Sequence, residues 1–157
     1  MKTKQLALIG LIALAPAAMA AEVVYEFVAC THGKTVTLEA NSEFAGFGAE
    51  SWGVVASSKT PEFEKASTHC VGALRMAGPR PVGKGLCKWT LADGATAVGE
   101  WEMPAAGENS FAWLSGTGRL KGIKGTGSFQ QVFTAGTVDP GTSQGCRRDW
   151  GKFTIPG

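Results

Sequence analysis

Five glycines fall within residues 116–127, at Gly116, Gly118, Gly122, Gly125 and Gly127. They separate the apolar run Phe111-Ala112-Trp113-Leu114 from an aromatic, β-branched run over 129–134. Glycine accepts positive φ and close backbone approach. So dense a cluster between two strand-like runs predicts a sharp connection that crosses close to its neighbours. A phosphate-cradling loop is excluded by context. The dinucleotide pattern would need glycine where Lys121 stands, a GK[ST] ending is missing, and no amphipathic helix follows. The remainder of the chain is therefore read as a sheet closing around this connection.

Alternation supports that reading. Strands are predicted over 22–30, 35–40, 44–56, 67–77, 83–91, 96–103, 110–114, 127–134 and 146–155, with Thr31-His32-Gly33-Lys34 as a turn between the first two. Asn41-Ser42, Gly78-Pro79-Arg80-Pro81 and Ala92-Asp93-Gly94 are breaks of the kind that close hairpins. Two prolines in the second of these argue against a strand there. A short helical turn over 63–66 is the one helical feature expected. No fixed-period repeat is present. About eight short strands joined mostly by short turns indicate an all-β, antiparallel up-and-down barrel, with a sandwich as the alternative.

The first twenty residues are set apart. Lys2 and Lys4 precede an apolar run over 6–14, and Ala18-Met19-Ala20 is a small-x-small cleavage site. This is the pattern of a secretory signal peptide, so 1–20 is expected to be removed and 21–157 to form a single domain. The apolar run is too short to span a bilayer. The Ala-rich form is of the bacterial kind, which places the protein in the periplasm or, failing that, the medium. Of 15 basic residues, Lys2 and Lys4 leave with the signal, and 13 remain against 13 acidic ones. A neutral mature chain has no electrostatic grip on nucleic acid or anionic membranes.

Cys30, Cys70, Cys87 and Cys146 all lie in the mature part, and an even count in an exported chain reads as two disulfides. Cys70–Cys87 would tie consecutive strands, and Cys30–Cys146 would tie the first strand to the last as a barrel closes. That pairing is the expected one, although three connectivities are open to four cysteines.

The segment from Trp113 to Phe129, WLSGTGRLKGIKGTGSF, resembles the GGTGKFxGIxGxGxF signature of allene oxide cyclase-barrel and dirigent-like proteins. Ser115 departs from the first glycine of that signature. Gly85-Leu86-Cys87 and Leu91-Ala92-Asp93-Gly94 look like the strand and turn upstream of it in exported bacterial members, so the resemblance covers roughly residues 70–133. It implies an eight-stranded, calycin-like barrel, often oligomeric. It transfers no activity, because the matching residues form a turn and not a catalytic set.

Chemistry is sparse. His32 and His69 each stand near a cysteine, but cysteines committed to disulfides are not zinc ligands, so no metal and no cofactor is expected. No G-x-S-x-G elbow supports a serine nucleophile. Glu100 and Glu102 alternate with Trp101 and are read as solvent-facing, as are Arg75, Lys88 and the pair Arg147-Arg148. Glu50 shares a strand face with Phe44, Trp52 and Val54. It is the one weak candidate for an inward acid, unless a bulge near Gly48 changes the register.

Aromatics carry the remaining signal. Trp89, Trp101, Phe111, Trp113, Phe129 and Phe133 alternate in strands expected to be neighbours. A Cys70–Cys87 bond would set Leu74 and Met76 beside Trp89 and Leu91, and the next hairpin would bring Trp101 and Met103. Leu74, Met76, Trp89, Leu91, Trp101, Met103, Trp113 and Phe129 are thus the expected inward wall. They would line either a filled core or a cavity for an apolar or aromatic small molecule. The expected function is non-catalytic binding of such a molecule. The alternatives are a cyclase or isomerase of the kind the resemblance implies, and a purely structural module.

Overall fold

A computed structural model describes residues 21–156 of the chain; the expected signal peptide lies outside them. Eight antiparallel strands form a closed barrel in sequence order: β1 (Ala21–Ala40), β2 (Ala45–Ser58), β3 (Ser67–Ala77), β4 (Arg80–Thr90), β5 (Thr96–Met103), β6 (Asn109–Gly116), β7 (Lys124–Thr134) and β8 (Thr142–Ile155). The barrel closes along β1 and β8, which pair from Ala21 opposite Ile155 to Lys34 opposite Thr142. Both expected disulfides are present. Cys30–Cys146 clasps that seam from the outer face, and Cys70–Cys87 lies inside, between β3 and β4. Two disulfides accord with an oxidising compartment. Among the described residues no helix is long and apolar enough to cross a membrane.

The glycine-rich connection helps to plug one end. Gly118, Gly122 and Gly125 have φ of 56°, 80° and 153°; positive φ, expected at one or more of them, is found at all three. The connection is more than a turn. It contains a 3-10 turn over Gly118–Leu120, which sequence reading missed, and this turn drives Leu120 and, beyond it, Ile123 into the barrel, both fully buried. Arg119 fastens the connection to its neighbours. Its Nε donates to Asp93 Oδ2 at 2.7 Å, and its Nη2 donates to the Glu62 carbonyl at 3.0 Å. The Ala95 backbone N–H and Arg119 together hold the Asp93 carboxyl below its ordinary range. The connection between β2 and β3 plugs the same end with Phe63 and Ala66; its 3-10 turn spans Pro61–Phe63, slightly before the predicted position.

Above this plug the lower half of the barrel is filled with rings. Trp113 lies 5.2 Å from Phe63 and 5.1 Å from Trp89, centroid to centroid. Tyr25, Phe27, Phe111 and Phe153 complete the cluster. Cross-strand glycines make room for these rings: a Cβ at Gly99 would strike Phe111, and one at Gly127 would strike Tyr25.

Three local expectations are corrected. No turn interrupts β1 at residues 31–34; the strand runs unbroken for 20 residues. Gly33 is buried there because Ser143, Glu50 and Ser51 crowd the space a Cβ would need, so it serves close packing and not a bend. Pro81 lies within β4, opposite Met76. It is tolerated because pairing with β5 begins only at Gly83, so the missing N–H interrupts no ladder on that side. Phe133 is exposed and not inward, because the register shifts between Gln131 and Phe133.

Candidate functional site

The end opposite the plug is open. Its mouth is formed by the β1–β2 hairpin, the β3–β4 turn, and the loops between β5 and β6 and between β7 and β8. The hairpin tip is set by Asn41, whose Oδ1 accepts from the backbone N–H groups of Glu43 and Phe44, each at 2.9 Å. Inside the mouth is a cavity of about 240 Å³. Its apolar wall is Leu74, Trp101, Met103 and Phe129, with Cys70 of the inner disulfide beside them. A larger open groove of about 620 Å³ continues over the rim, where Phe44, Phe47 and Val82 join Leu74 and Met103.

Four of the eight expected wall residues therefore meet at the cavity. Trp89, Leu91 and Trp113 face inward as predicted but are buried in the packed lower half, at 0%, 3% and 2% exposure. They line neither space. The reason is the plug: residues from two connections fill the lower barrel, and strand alternation carries no information about them. Met76 is exposed at the rim. Trp101 is held flat against the wall, since a Cβ at Gly72 or Gly85 would collide with its ring.

Glu50 is corrected. It lies on the outer face with Trp52 and Val54, all three exposed. Its carboxylate meets His69 Nε2 at 2.8 Å, and the His69 ring stacks on Trp52 at 5.4 Å. Glu100, Glu102, Arg75 and Lys88 are exposed, as read.

The charged pair inside the barrel, Arg147 and Asp149, comes from β8 and was missed. Arg147 was read as solvated, yet its side chain is only 15% exposed and lines the cavity. Its Nε donates to Asp149 Oδ2 at 3.1 Å, and Asp149 is itself 2% exposed. The guanidinium lies 5.3 Å from the Phe129 ring centroid and 5.8 Å from that of Trp89, within reach of cation–π attraction. Burial pushes the Asp149 carboxyl above its ordinary range, against the opposing pull of Arg147. Burial, and next the charge of Asp149, raise the Tyr25 hydroxyl as well. Arg148, one residue on, faces out and reaches Glu26 at 3.1 Å. The two disulfides leave no free thiol among the described cysteines, and no group of three or more metal-binding side chains is found among the described residues.

This barrel is similar to a solved structure of a pterocarpan synthase dirigent protein, with a TM-score of 0.53 over 88% of this chain and 94% of that one. The fold is a dirigent-type barrel. Sequence identity is 10%, so the likeness speaks for architecture alone. No family model matches the chain, and no curated protein matches it.

Proposed function

We propose that this protein is an exported, non-catalytic barrel that binds an apolar or aromatic small molecule at its open end. The observation that carries the reading is the cavity walled by Leu74, Trp101, Met103 and Phe129. It is concave, and its apolar wall faces polar side chains that include Thr31, Ser51, Gln131 and Arg147, a combination that suits a small-molecule site. Export rests on the N-terminal pattern and on disulfides that suit an oxidising compartment. Bound molecules would be held mainly by removal of apolar area from water.

A cyclase or isomerase reading is the second one. Its support is Asp149, a buried acid next to the cavity floor, on a fold shared with a protein described as a synthase. Asp149 does not line the cavity, however, and its reach to a ligand runs through Arg147.

The test uses protein collected after export, whose N-terminus on this reading is Ala21. Titration with a panel of hydrophobic fluorescent probes quenches its tryptophan emission, and Trp101→Ala weakens the quenching. Failure of every probe to bind, with an unchanged emission spectrum, would leave the barrel as a structural module.

A further inference from the structure

We propose that the ligand of the open-end cavity is an organic acid, a carboxylate carried on a small apolar or aromatic body, whose oxygens are taken by the Arg147 guanidinium. The proposal rests on the ligand-binding reading above and adds the chemical class.

A charged side chain inside a barrel is costly unless its hydrogen bonds are met. Arg147 meets only part of that demand from the protein. Nε–H is taken by Asp149, and Nη2 lies 3.7 Å from the Cys87 sulfur, a weak acceptor. Nη1 has no acceptor among the described residues. The cavity is lined by Arg147 and not by Asp149, so an incoming molecule meets the cationic member of the pair. Asp149 and the Trp89 and Phe129 rings fix the guanidinium plane before any ligand arrives. Planar, pre-set guanidinium groups favour carboxylates, which they can bind through two parallel hydrogen bonds.

The other charges around the cavity agree. Lys34 and Glu50 are directly opposite each other on the outer face, where His69 engages Glu50, so Arg147 is the charged side chain turned into the cavity. Asn109 and Gln131 offer neutral hydrogen bonds nearby. A cationic ligand would be repelled from the floor, and a purely hydrocarbon one would cover Arg147 without satisfying it. The wall of Leu74, Trp101, Met103 and Phe129 then takes the body of the molecule. At about 240 Å³ the cavity is smaller than the ~300–1,000 Å³ typical of drug-sized sites, which suits one or two rings.

The test compares naphthalene carboxylate with naphthalene carboxamide, which match in size and differ in charge. Both are titrated near neutral pH, by calorimetry, into the wild-type protein, the double variant Arg147→Gln with Asp149→Asn, and Arg147→Lys. The double variant removes both charges together and so strands neither partner. Wild-type protein binds the carboxylate about ten- to a hundredfold more tightly than the amide, the worth of a charge-assisted hydrogen bond. The double variant loses that preference and retains the amide. Arg147→Lys, which keeps the charge and loses the planar fork, weakens the carboxylate several-fold and leaves the amide unchanged, a reading that stands even where the double variant fails to fold. Equal wild-type affinities, a preference that survives in the double variant, or an undiminished preference in Arg147→Lys overturn acid recognition while cavity binding stands. Binding of neither probe to the wild type overturns the acid proposal, and the fluorescent-probe panel decides the binding reading on its own.

Discussion

Removal of the outer clasp, by Cys30→Ser with Cys146→Ser, isolates the contribution of barrel closure to stability. The two cysteines are half-buried on the outer face, so serine replacement disturbs little packing. The bond's main effect is then on the unfolded chain, where it closes a loop with a sequence separation of 116 residues. The chain-entropy relation puts that constraint at about 5 kcal/mol, against about 3 for the 17-residue separation of Cys70–Cys87. A loss of 5 kcal/mol is a large share of a small domain's net stability. For a domain of this length it lowers the melting temperature by roughly 15 °C. Urea unfolding followed by far-ultraviolet circular dichroism measures the difference directly. The native barrel should persist, because β1 and β8 still pair along fourteen register positions from Ala21 to Lys34. A loss below about 1 kcal/mol would refute the reasoning: the unfolded chain would already hold its ends together, and the clasp would constrain nothing.

Two further outcomes follow from the interior. Gly122→Val places a branched side chain at φ 80° and against Pro156, so it should lower stability by about 1–3 kcal/mol in the same urea assay; a wild-type midpoint would show this glycine to be incidental. Asp149→Asn tests the buried acid. With its pKa raised in the folded state, Asp149 holds its proton after the unfolded chain has lost one, so wild-type stability relative to the variant should be greatest in acid and decline as pH climbs from the ordinary carboxylate range. Melting temperatures of the two proteins across that range decide it, and a difference growing with pH would mean that the Arg147 ion pair outweighs burial.

Much of the fold was legible because it depends on local alternation. The strand order and the inward set on β4 and β5 follow from period-two patterning, and the pairing chosen among three open connectivities is the one that joins paired strands. The same reasoning contained the clue to the missed pair. Cys30 and Cys146 stand directly opposite each other, so their side chains share a face. Tyr25 and Phe27 have the opposite parity to Cys30 and belong inside, which sends Arg147 and Asp149 inside with them. The rule that charges are rarely buried overrode that parity at Arg147. The division between filled and open halves had no such clue. It depends on Phe63, Leu120 and Ile123, which belong to connections and obey no strand period. The glycine pattern over residues 113–129 marked the connection that carries Leu120 and Ile123, but not where their side chains would go.

The cavity is a consequence of residue choice and not of incomplete packing. In the lower barrel the inward positions of β1 are Tyr25 and Phe27, and each large ring lies near a glycine or another ring. Higher on the same strands the cavity-lining positions include Thr31, Ala49 and Ser51, all small. Trp101, the one large ring at this level on β5, lies against Gly72 and Gly85 and so forms wall instead of filling the space. A chain shaped only for stability would place large apolar groups at those small positions, as it does below, and gain their burial. Here the open end instead carries small hydroxyl-bearing residues, a flattened tryptophan and an arginine braced from behind by a buried acid. Each of these forgoes stabilisation that the lower half collects, and together they leave a space with an apolar wall and a cationic floor. That division of one barrel into a packed half and a furnished half is the physical basis for reading the open end as a binding site.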